Sequence, residues 1–247
     1  MSSGVDENLN DPEVRKNYLI QNIPHIFEGS RNKWNQFDSI WEEYRKGHGK
    51  PWDPIRIAQF MNLFEIANSA PEGDYVELGT HWGLMAKVIW RLMDPSRTLY
   101  CFDTFEGFDE KDIKKEKEIY DNNWKVGNFM PTSPEMVAEY IGNGLPPENL
   151  TLVKGWIPES FEPYKELKWR FVHIDMDLYQ PIKYGLELTW PRLVPGGVLV
   201  VHDYGCLGFP GAKVAVDEFF APLGLRPLPM GDRWGSVMIV KPCLPVE

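Results

Sequence analysis

Tyr75-Val76-Glu77-Leu78-Gly79-Thr80-His81-Trp82-Gly83 is the stretch around which the rest of the chain is organised. A short apolar run, residues 74–78, leads into a turn with two glycines, and an amphipathic run follows over residues 84–93. A strand that passes through a tight turn into a helix is the first unit of a doubly wound sheet, so the stretch predicts an α/β fold. Gly79 and Gly83 allow the backbone to turn sharply and to approach a ligand, because glycine has no Cβ.

Two acids at the ends of the first two predicted strands indicate what this edge of the sheet binds. Glu77 can accept hydrogen bonds from an amine and would repel a pyrophosphate, so it suits the amino-acid end of S-adenosylmethionine. A nicotinamide cofactor is disfavoured, since the turn also lacks G-x-G-x-x-G spacing. Residues 99–103 predict a second strand that ends in Asp103, an acid placed to bind ribose hydroxyls. The alternative is an ordinary turn and a capping aspartate with no ligand.

Composition narrows the class of protein further. The 247 residues are enough for one well-buried core, and the formal net charge of −10 argues against binding nucleic acid or an anionic membrane. Cys101, Cys206 and Cys243 form no CxxC motif, so neither a disulfide framework nor a cysteine zinc site is expected. The first 27 residues lack the apolar core of a signal peptide, and no apolar stretch is long enough to span a membrane. We therefore predict a cytoplasmic protein.

The chain divides into an N-terminal helical appendage, residues 1–50, and one α/β domain, residues 51–247. Apolar residues at helical spacing predict appendage helices over residues 13–27 and 34–44, which would lie over the catalytic edge or form a dimer surface. A helix is predicted over residues 54–68, at the start of the α/β domain.

The second half of the chain alternates between predicted strands and helices. The charged run from residue 109 to 125 is expected to be a solvated helix or loop, with a mobile lid over residues 109–131 as the alternative. The further predicted strands are 150–154, 171–175 and 198–201; the helices are 133–141, 181–193 and 210–220; a terminal hairpin pairs 225–230 with 237–240. This order predicts a seven-stranded sheet with one antiparallel strand at its edge.

Four chemically active side chains follow the fourth and fifth predicted strands: Asp175, Asp177, His202 and Asp203. Clustered carboxylates repel one another unless a cation or a shared proton neutralises them. Carboxylates suit Mg²⁺ or Mn²⁺, and an imidazole extends the choice towards Fe, Ni or Zn. For His202 and Asp203 both to bind, the chain must leave strand geometry between them. The alternative is that Asp175 caps a helix and His202 is a hydrogen-bonded core group.

Five ordered blocks of sequence together resemble the macrocin O-methyltransferase family. The blocks are Glu77-Leu-Gly-x-x-x-Gly83, Phe102-Asp103-Thr-Phe-Glu-Gly107-Phe108, Val172-His-Ile-Asp-Met-Asp-Leu-Tyr179, Pro195-Gly-Gly-x-x-x-x-His-Asp-Tyr-Gly205 and Phe209-Pro-Gly-Ala-Lys-x-Ala-Val-Asp217. The resemblance covers roughly residues 74–220. Members of this family methylate sugar hydroxyls on macrolides and other glycosylated natural products. The resemblance implies a class I, S-adenosylmethionine-dependent fold and a Mg²⁺-assisted O-methyl transfer.

The resemblance also implies roles for single residues. The methionine end of the cofactor would be held by Glu77 and Gly79, the ribose by Asp103, and the adenine would be bordered by Gly155 and Trp156. The predicted cofactor site is completed by the neighbours Thr80, His81, Gly83, Thr104 and Phe105. The family's metal-binding carboxylates correspond to Asp175 and Asp203, and its general base to Asp177.

His202 is where this chain departs from the family, which usually has an acid at that position. The substitution removes one negative charge and one hard oxygen ligand. We predict a divalent metal held by Asp175, His202 and Asp203, which would lower the pKa of the acceptor hydroxyl. Metal-free catalysis with His202 as the base is the alternative.

Three other functions compete with methylation of a glycosylated or free, activated sugar. The first is methylation of a catechol or another phenol. The second is S-adenosylmethionine binding without catalysis, against which the retained acids argue. The third, a nicotinamide oxidoreductase, fails on the turn sequence. A homodimer is compatible with the appendage.

Overall fold

The computed structural model describes residues 11–22, 31–46, 53–120, 123–129 and 132–243, and it contains a seven-stranded sheet. The strands are β1 (Asp74–Leu78), β2 (Leu99–Asp103), β3 (Leu150–Lys154), β4 (Trp169–Ile174), β5 (Leu193–Val201), β6 (Leu228–Pro229) and β7 (Val237–Val240). Their order is β3-β2-β1-β4-β5-β7-β6, and the five strands β1 to β5 are parallel. The predicted fold class is confirmed. The antiparallel strand β7 is second from the edge, because the two-residue β6 pairs outside it.

Eight α-helices lie within the described ranges. They are α1 (Pro12–Asn22), α2 (Arg31–Tyr44), α3 (Pro54–Ser69), α4 (Leu84–Leu92), α5 (Glu110–Ile119), α6 (Pro134–Ile141), α7 (Tyr179–Thr189) and α8 (Pro210–Phe220). The first predicted helix ran to residue 27, and its last part, from residue 23, lies outside the described residues. The predicted helix over residues 181–193 starts two residues earlier and ends at Thr189, where a 3₁₀ turn leads directly into β5. None of the helices in the described ranges is long and apolar enough to cross a bilayer.

The core lies on both faces of the sheet, as expected for parallel strands covered by helices on each side. All six residues of β4 are buried, and they alternate between the two faces. Phe171 packs against Phe60 and Phe64 of α3, with ring centroids 5.6 and 4.4 Å away. Val172 faces the opposite side, in the cluster that includes residues of α7 and α8. The sheet is therefore a fixed platform whose carboxyl edge presents the loops.

Within the described part of the charged run at residues 109–125, a helix is followed by an irregular segment, and the helix is only partly solvated. Residues 110–119 form α5, whose first turn is capped by the Asp109 carboxylate, which accepts from the Lys111 amide at 2.8 Å. Asp112 and Glu116 are only 5 and 1 % exposed. The outer face of α5 is charged and solvated as predicted, whereas its inner face carries buried acids against the site. Residues 121, 122, 130 and 131 of the predicted lid lie outside the described residues.

Candidate functional site

A cavity of about 610 Å³ lies at the carboxyl ends of β1, β2, β4 and β5. Of the residues predicted from the sequence, those that line it are Glu77, Gly79, Thr80, His81, Asp103, Thr104, Gly155, Trp156, Asp175, Asp177, His202 and Asp203. Phe105 does not line it: its side chain is buried in the core cluster on one face of the sheet. Gly83 does not line it either, because it packs against α6. The structure thus brings together all but two of the predicted residues.

Both glycines of the first turn are required by packing between segments of the chain. Gly79 has φ +86°, and a Cβ there would lie 1.9 Å from the backbone oxygen of Asp175. Gly83 has φ +77°, and a Cβ there would lie 2.8 Å from a methyl group of Val137. The close approaches predicted for a ligand are therefore made by the protein itself. A ligand contact at Gly79 stays a prediction.

Glu77 offers an unused acceptor to the cavity. The side chain is buried, and its Oε1 is hydrogen-bonded to Nδ1 of His173 at 3.0 Å. Oε2 has no hydrogen-bond partner among the described residues. Burial, together with the negative charge of Asp175, raises the pKa of Glu77 well above its usual range. An ammonium group would satisfy Oε2 and stabilise the carboxylate, so this site fits the amino end of S-adenosylmethionine.

His173 is a site residue that the sequence analysis missed. Burial lowers its pKa to about 3, so the ring is neutral, and its Nδ1 is hydrogen-bonded to Oε1 of Glu77. The ring meets Phe60 of α3 edge to face, with ring centroids 5.3 Å apart. Strand alternation could have identified His173, because it precedes Asp175 by two residues and so points to the same face of the sheet.

Asp103 connects three segments around the cavity. Its Oδ2 accepts from the amide of His81 and its Oδ1 from the amide of Phe105, both at 2.7 Å. His81 and Phe105 have φ values of 48 and 54°, so both bonds hold residues in the left-handed region. The carbonyl of Asp103 accepts from the amide of Gly155 at 2.9 Å. Each carboxylate oxygen keeps a lone pair for a ribose hydroxyl.

Trp156, in the segment after β3, and α5 together form one wall of the cavity. The indole Nε1 of Trp156 donates to Oδ2 of Asp112 at 2.8 Å. The ammonium of Lys111 lies 4.2 Å from the centre of the indole ring. Burial raises the pKa of Asp112 to about 6. The sequence analysis missed Asp112 because it treated the whole charged run as one solvated surface.

Asp175, His202 and Asp203 form the predicted cluster. Nδ1 of His202 is 2.6 Å from Oδ1 of Asp175 and 2.8 Å from Oδ2 of Asp203. β5 ends at Val201, and Asp203 has φ 60°, so the chain does leave strand geometry between the two residues. One donor atom from each of the three side chains lies within 4.8 Å of the others. That spacing would suit a cation.

Arg56, at the start of α3, was not predicted and changes the chemistry of His202. Its Nη2 contacts Nε2 of His202, and its Nε donates to Oδ2 of Asp232 at 3.0 Å. In the neutral form of His202, Nε2 must accept from Arg56, because a guanidinium has only donors, and the ring proton then lies on Nδ1. Burial and Arg56 lower the pKa of His202, but the carboxylates of Asp175 and Asp203 raise it by more. The net result is a pKa of about 9. The imidazolium form would also carry a proton on Nδ1.

Both protonation states therefore occupy the atom that a metal would need. A histidine that ligates a metal gives its other ring N–H to an acceptor, whereas here the other nitrogen of His202 faces the cationic Arg56. The carboxylates of Asp175 and Asp203 suit a hard cation, but the set does not fit a metal held through His202 in this arrangement. The divalent metal stays a prediction, and no catalytic step below depends on it.

Asp177 lies beside this cluster and lines the cavity. Its backbone has φ 60°, which turns the chain away from β4 immediately before α7. Burial, and then the negative charges of Asp203 and Asp175, raise the pKa of Asp177 well above its usual range. A carboxylate with a raised pKa is a stronger base, which is the property that a proton acceptor in a transfer reaction needs.

Aromatic side chains line the mouth of the cavity. Trp124 and Phe209 stack with ring centroids 4.9 Å apart and planes 9° from parallel. Phe129 meets Phe108 edge to face at 5.0 Å and is 42 % exposed. Trp234 closes another side of the mouth and is also 42 % exposed. The mouth is therefore apolar, whereas the floor of the cavity is acidic.

A mixed seven-stranded sheet of this order, with acids from β1 and β2 facing one cavity, defines the class I methyltransferase fold. Solved structures agree. The O-methyltransferase NovP superposes with a TM-score of 0.60 and 21% sequence identity, over 94% of this chain and 100% of that one. TomG from Streptomyces achromogenes, an O-methyltransferase solved in complex with S-adenosylmethionine, gives a TM-score of 0.52 and 13% identity, over 83% of this chain and 89% of that one.

The chain belongs to the macrocin O-methyltransferase family, whose family model matches residues 54–236. The 8-demethyl-8-(2,3-dimethoxy-alpha-L-rhamnosyl)-tetracenomycin-C 4'-O-methyltransferase of Streptomyces olivaceus is 26% identical over 148 residues, 56% of this chain and 55% of that relative. The demethyldecarbamoylnovobiocin O-methyltransferase of Streptomyces niveus is 26% identical over 209 residues, 77% of this chain and 78% of that relative. The family resemblance predicted from the sequence is confirmed.

Proposed function

We propose that this protein transfers a methyl group from S-adenosylmethionine to a sugar hydroxyl of a glycosylated natural product or an activated sugar. The observation that carries the proposal is the unpartnered, buried Oε2 of Glu77, which lies in the same cavity as Asp103. These two acids match the amine and the ribose of one cofactor. The rhamnosyl group in the name of the Streptomyces olivaceus relative supports a sugar acceptor.

The residues of the chain divide the work of the reaction. Glu77 binds the ammonium group of the cofactor, and Asp103 binds its ribose hydroxyls. When bound, the cofactor would supply an electrophilic methyl group. Asp177 accepts the proton of the attacking hydroxyl. Nδ1 of His202 lies between Asp175 and Asp203, and the imidazolium charge keeps these two carboxylates together despite their like charges. Alignment of the reacting atoms can contribute about 7–11 kcal/mol to lowering the barrier.

The acceptor would enter through the aromatic mouth. Phe129 and Trp234 present exposed ring surface there, and a sugar can place its C–H face against such a ring while its hydroxyls reach the acidic floor. The stacked pair of Trp124 and Phe209 gives this wall a fixed apolar surface. A glycoside with an apolar aglycone matches both parts of the cavity.

Metal assistance is a second candidate, favoured by the spacing of the donor atoms of Asp175, His202 and Asp203. It requires Nδ1 of His202 to lose its proton and Arg56 to move away from Nε2. Methylation of a catechol or another phenol, and cofactor binding without catalysis, are the remaining alternatives. A cytoplasmic location and a homodimer stay predictions from the sequence.

The test is transfer of a labelled methyl group from S-adenosylmethionine to a panel of acceptors. The panel contains glycosides with free sugar hydroxyls, the corresponding aglycones, nucleotide-activated sugars and catechols. We expect product only with the sugar-bearing acceptors, and almost none with the Asp177→Asn variant. Methylation of catechols in preference to glycosides would replace the proposed acceptor. Binding of S-adenosylhomocysteine with no turnover on any acceptor would favour the non-catalytic alternative.

A further inference from the structure

Asp112 presents a second unused acceptor to the cavity, next to Trp156 in the segment after β3. The residue is only 5 % exposed and lines the cavity. Its Oδ1 is buried and has no hydrogen-bond partner within the part of the chain that the structure describes. A buried acceptor without a donor destabilises a protein, so an oxygen left in this state at a cavity wall indicates a ligand donor.

The other oxygen of Asp112 fixes the orientation of the carboxylate. Oδ2 accepts from Nε1 of Trp156 at 2.8 Å, and an indole N–H can only donate. Lys111 lies over the face of the same indole ring, with its ammonium 4.2 Å from the ring centre. The ring is thereby held on one face and along its edge. Oδ1 of Asp112 is the oxygen that remains for a ligand.

The position of Asp112 relates it to the ribose-binding acid. The amide of Gly155 donates to the carbonyl of Asp103, so Trp156 follows directly after the segment that borders Asp103. Asp112 is bonded to Trp156 and therefore lies on the Gly155–Trp156 side of Asp103. A ligand whose ribose is bound at Asp103 would extend its base towards this side.

We propose that Oδ1 of Asp112 accepts a hydrogen bond from the exocyclic 6-amino group of the adenine of S-adenosylmethionine, and that Asp112 thereby selects adenine over other purines. This inference rests on the proposed function. A carboxylate oxygen rejects a 6-oxo purine, because the oxo group is also an acceptor and would leave two acceptors facing each other. The acid is supplied by α5, a helix of the charged run, and not by the strand ends.

The test measures binding of S-adenosylhomocysteine and of its 6-oxo analogue, S-inosylhomocysteine, by calorimetry. For the unaltered protein we expect S-adenosylhomocysteine to bind at least about tenfold more tightly. In Asp112→Asn, the amide oxygen must face the donor-only indole of Trp156, which turns the NH₂ group into the position of Oδ1. That group donates, so we expect the preference to reverse in favour of the 6-oxo analogue.

Glu110→Gln is the matched control, because it removes the same charge from the exposed side of the same helix turn. It should leave both affinities and their ratio unchanged. Equal affinities for the two ligands in the unaltered protein would overturn the inference while leaving the proposed function intact. So would an Asp112→Asn variant that weakens both ligands to the same extent. Binding of neither ligand by the unaltered protein would instead overturn the proposed function.

Discussion

The carboxylate of Glu116 lies directly against Gly211, where a Cβ would stand only 2.3 Å from Oε2 of the acid. Oε1 accepts from the Gly211 amide at 3.2 Å, and Oε2 accepts from the Tyr179 amide at 2.7 Å. Those amides belong to the first turns of α8 and α7, whose N–H groups have no partner within their own helix. One buried acid of α5 thus caps two other helices, where the positive ends of the helix dipoles also favour its charge.

Replacing Glu116 should therefore destabilise the whole domain. In Glu116→Ala, two buried amides lose their acceptor, and we expect the free energy of unfolding to fall by about 3–6 kcal/mol, at about 1.5–3 kcal/mol for each bond to a charged group. Urea denaturation followed by tryptophan fluorescence measures the loss. Glu118→Ala, on the exposed side of the same helix, is the control and should change stability little. A loss no larger than that of the control would contradict the capping role.

Anchoring by Glu116 also confines any lid to the segment after α5. Trypsin can cut after Lys114, Lys115 or Lys117 within α5, and after Lys125 in the segment that carries Trp124. We expect cleavage within α5 to be slow in all states. Cleavage after Lys125 should slow when cofactor product and acceptor are both bound, because the aromatic mouth then packs on the acceptor. Mass spectrometry of the fragments distinguishes the sites, and equal cleavage after Lys125 in the free and ternary states would argue against a lid.

The elements that could be predicted from the sequence are those whose local signals agree. β1, β2 and β3 end where their apolar runs end, and α6 begins at Ser133-Pro134 because serine caps the helix and proline suits its first turn. β5 begins at Leu193, five residues before its predicted start, since Leu193 pairs with Trp169 of β4 and the backbone of Gly196 and Gly197 pairs with that of Lys241. That pairing depends on a segment more than 40 residues away along the chain, so no local pattern reveals it.

The residues of the site likewise divide into those with a local sequence signal and those placed only by tertiary packing. Glu77, Asp103 and Asp175 could be identified because acids at the ends of parallel strands meet at one edge. Arg56 and Asp112 could not, because a helix residue reaches the site only through tertiary packing. Arg56 is 146 positions from His202, and it lies in the first turn of α3, three residues after the capping Asp53. Such residues become visible only once the helices are placed on the sheet.

Asp103→Ala should weaken binding of S-adenosylhomocysteine by more than about tenfold, given roughly 1.5–3 kcal/mol for a hydrogen bond to a charged group. The variant also loses the acceptor for the amides of His81 and Phe105, so the loops on both sides should loosen. Asp103→Asn keeps one acceptor oxygen, so its cofactor affinity should lie between those of the unaltered protein and Asp103→Ala. Calorimetric titration gives the affinity and thermal melting the stability. Cofactor affinity unchanged in Asp103→Ala would overturn the assignment.

The pH dependence of cofactor binding should reveal Asp112. Burial raises its pKa from 3.8 to about 6, and the facing charges are Asp109, which caps α5, Lys111 on α5 and Glu159 after β3. The 6-amino group binds the charged form, so S-adenosylhomocysteine affinity should rise as the pH increases through about 6 and should flatten above 7. Without ligand, the folded state favours the protonated form of Asp112. The contribution of Asp112 to the free energy of unfolding should therefore decrease as the pH rises from about 4 to about 6.

The comparison with Asp112→Asn isolates these two trends, which run in opposite directions. In that variant, the part of each pH profile that belongs to residue 112 should disappear. The measurements are calorimetric titrations with S-adenosylhomocysteine and thermal melts between pH 4.5 and 8. Profiles that are identical in the two proteins would mean that residue 112 does not titrate in this range.

The contact between Arg56 and His202 leads to the last prediction, on the role of a metal. While Arg56 donates to Nε2, Nδ1 of His202 keeps its proton and cannot ligate, so activity should survive treatment with a chelator. His202→Ala should lose activity, because the carboxylates of Asp175 and Asp203 would then repel each other without the imidazolium between them. Arg56→Gln replaces a donor-only group with one that can accept from Nε2–H and thus frees Nδ1.

That variant should therefore gain affinity for Mn²⁺ or Ni²⁺, by about 10–100-fold, which is the usual effect of a partner that orients a metal-ligating histidine. His202→Asp should instead favour Mg²⁺, since three carboxylate oxygens suit a hard cation. Calorimetric titration with each metal gives the affinities, and Arg170→Gln, a buried arginine that contacts Glu72 instead, is the control. If the unaltered protein loses activity with a chelator and regains it with a transition metal, the metal predicted from the sequence is present. His202 must then exchange its Nδ1 proton for the ion, with Arg56 displaced from Nε2.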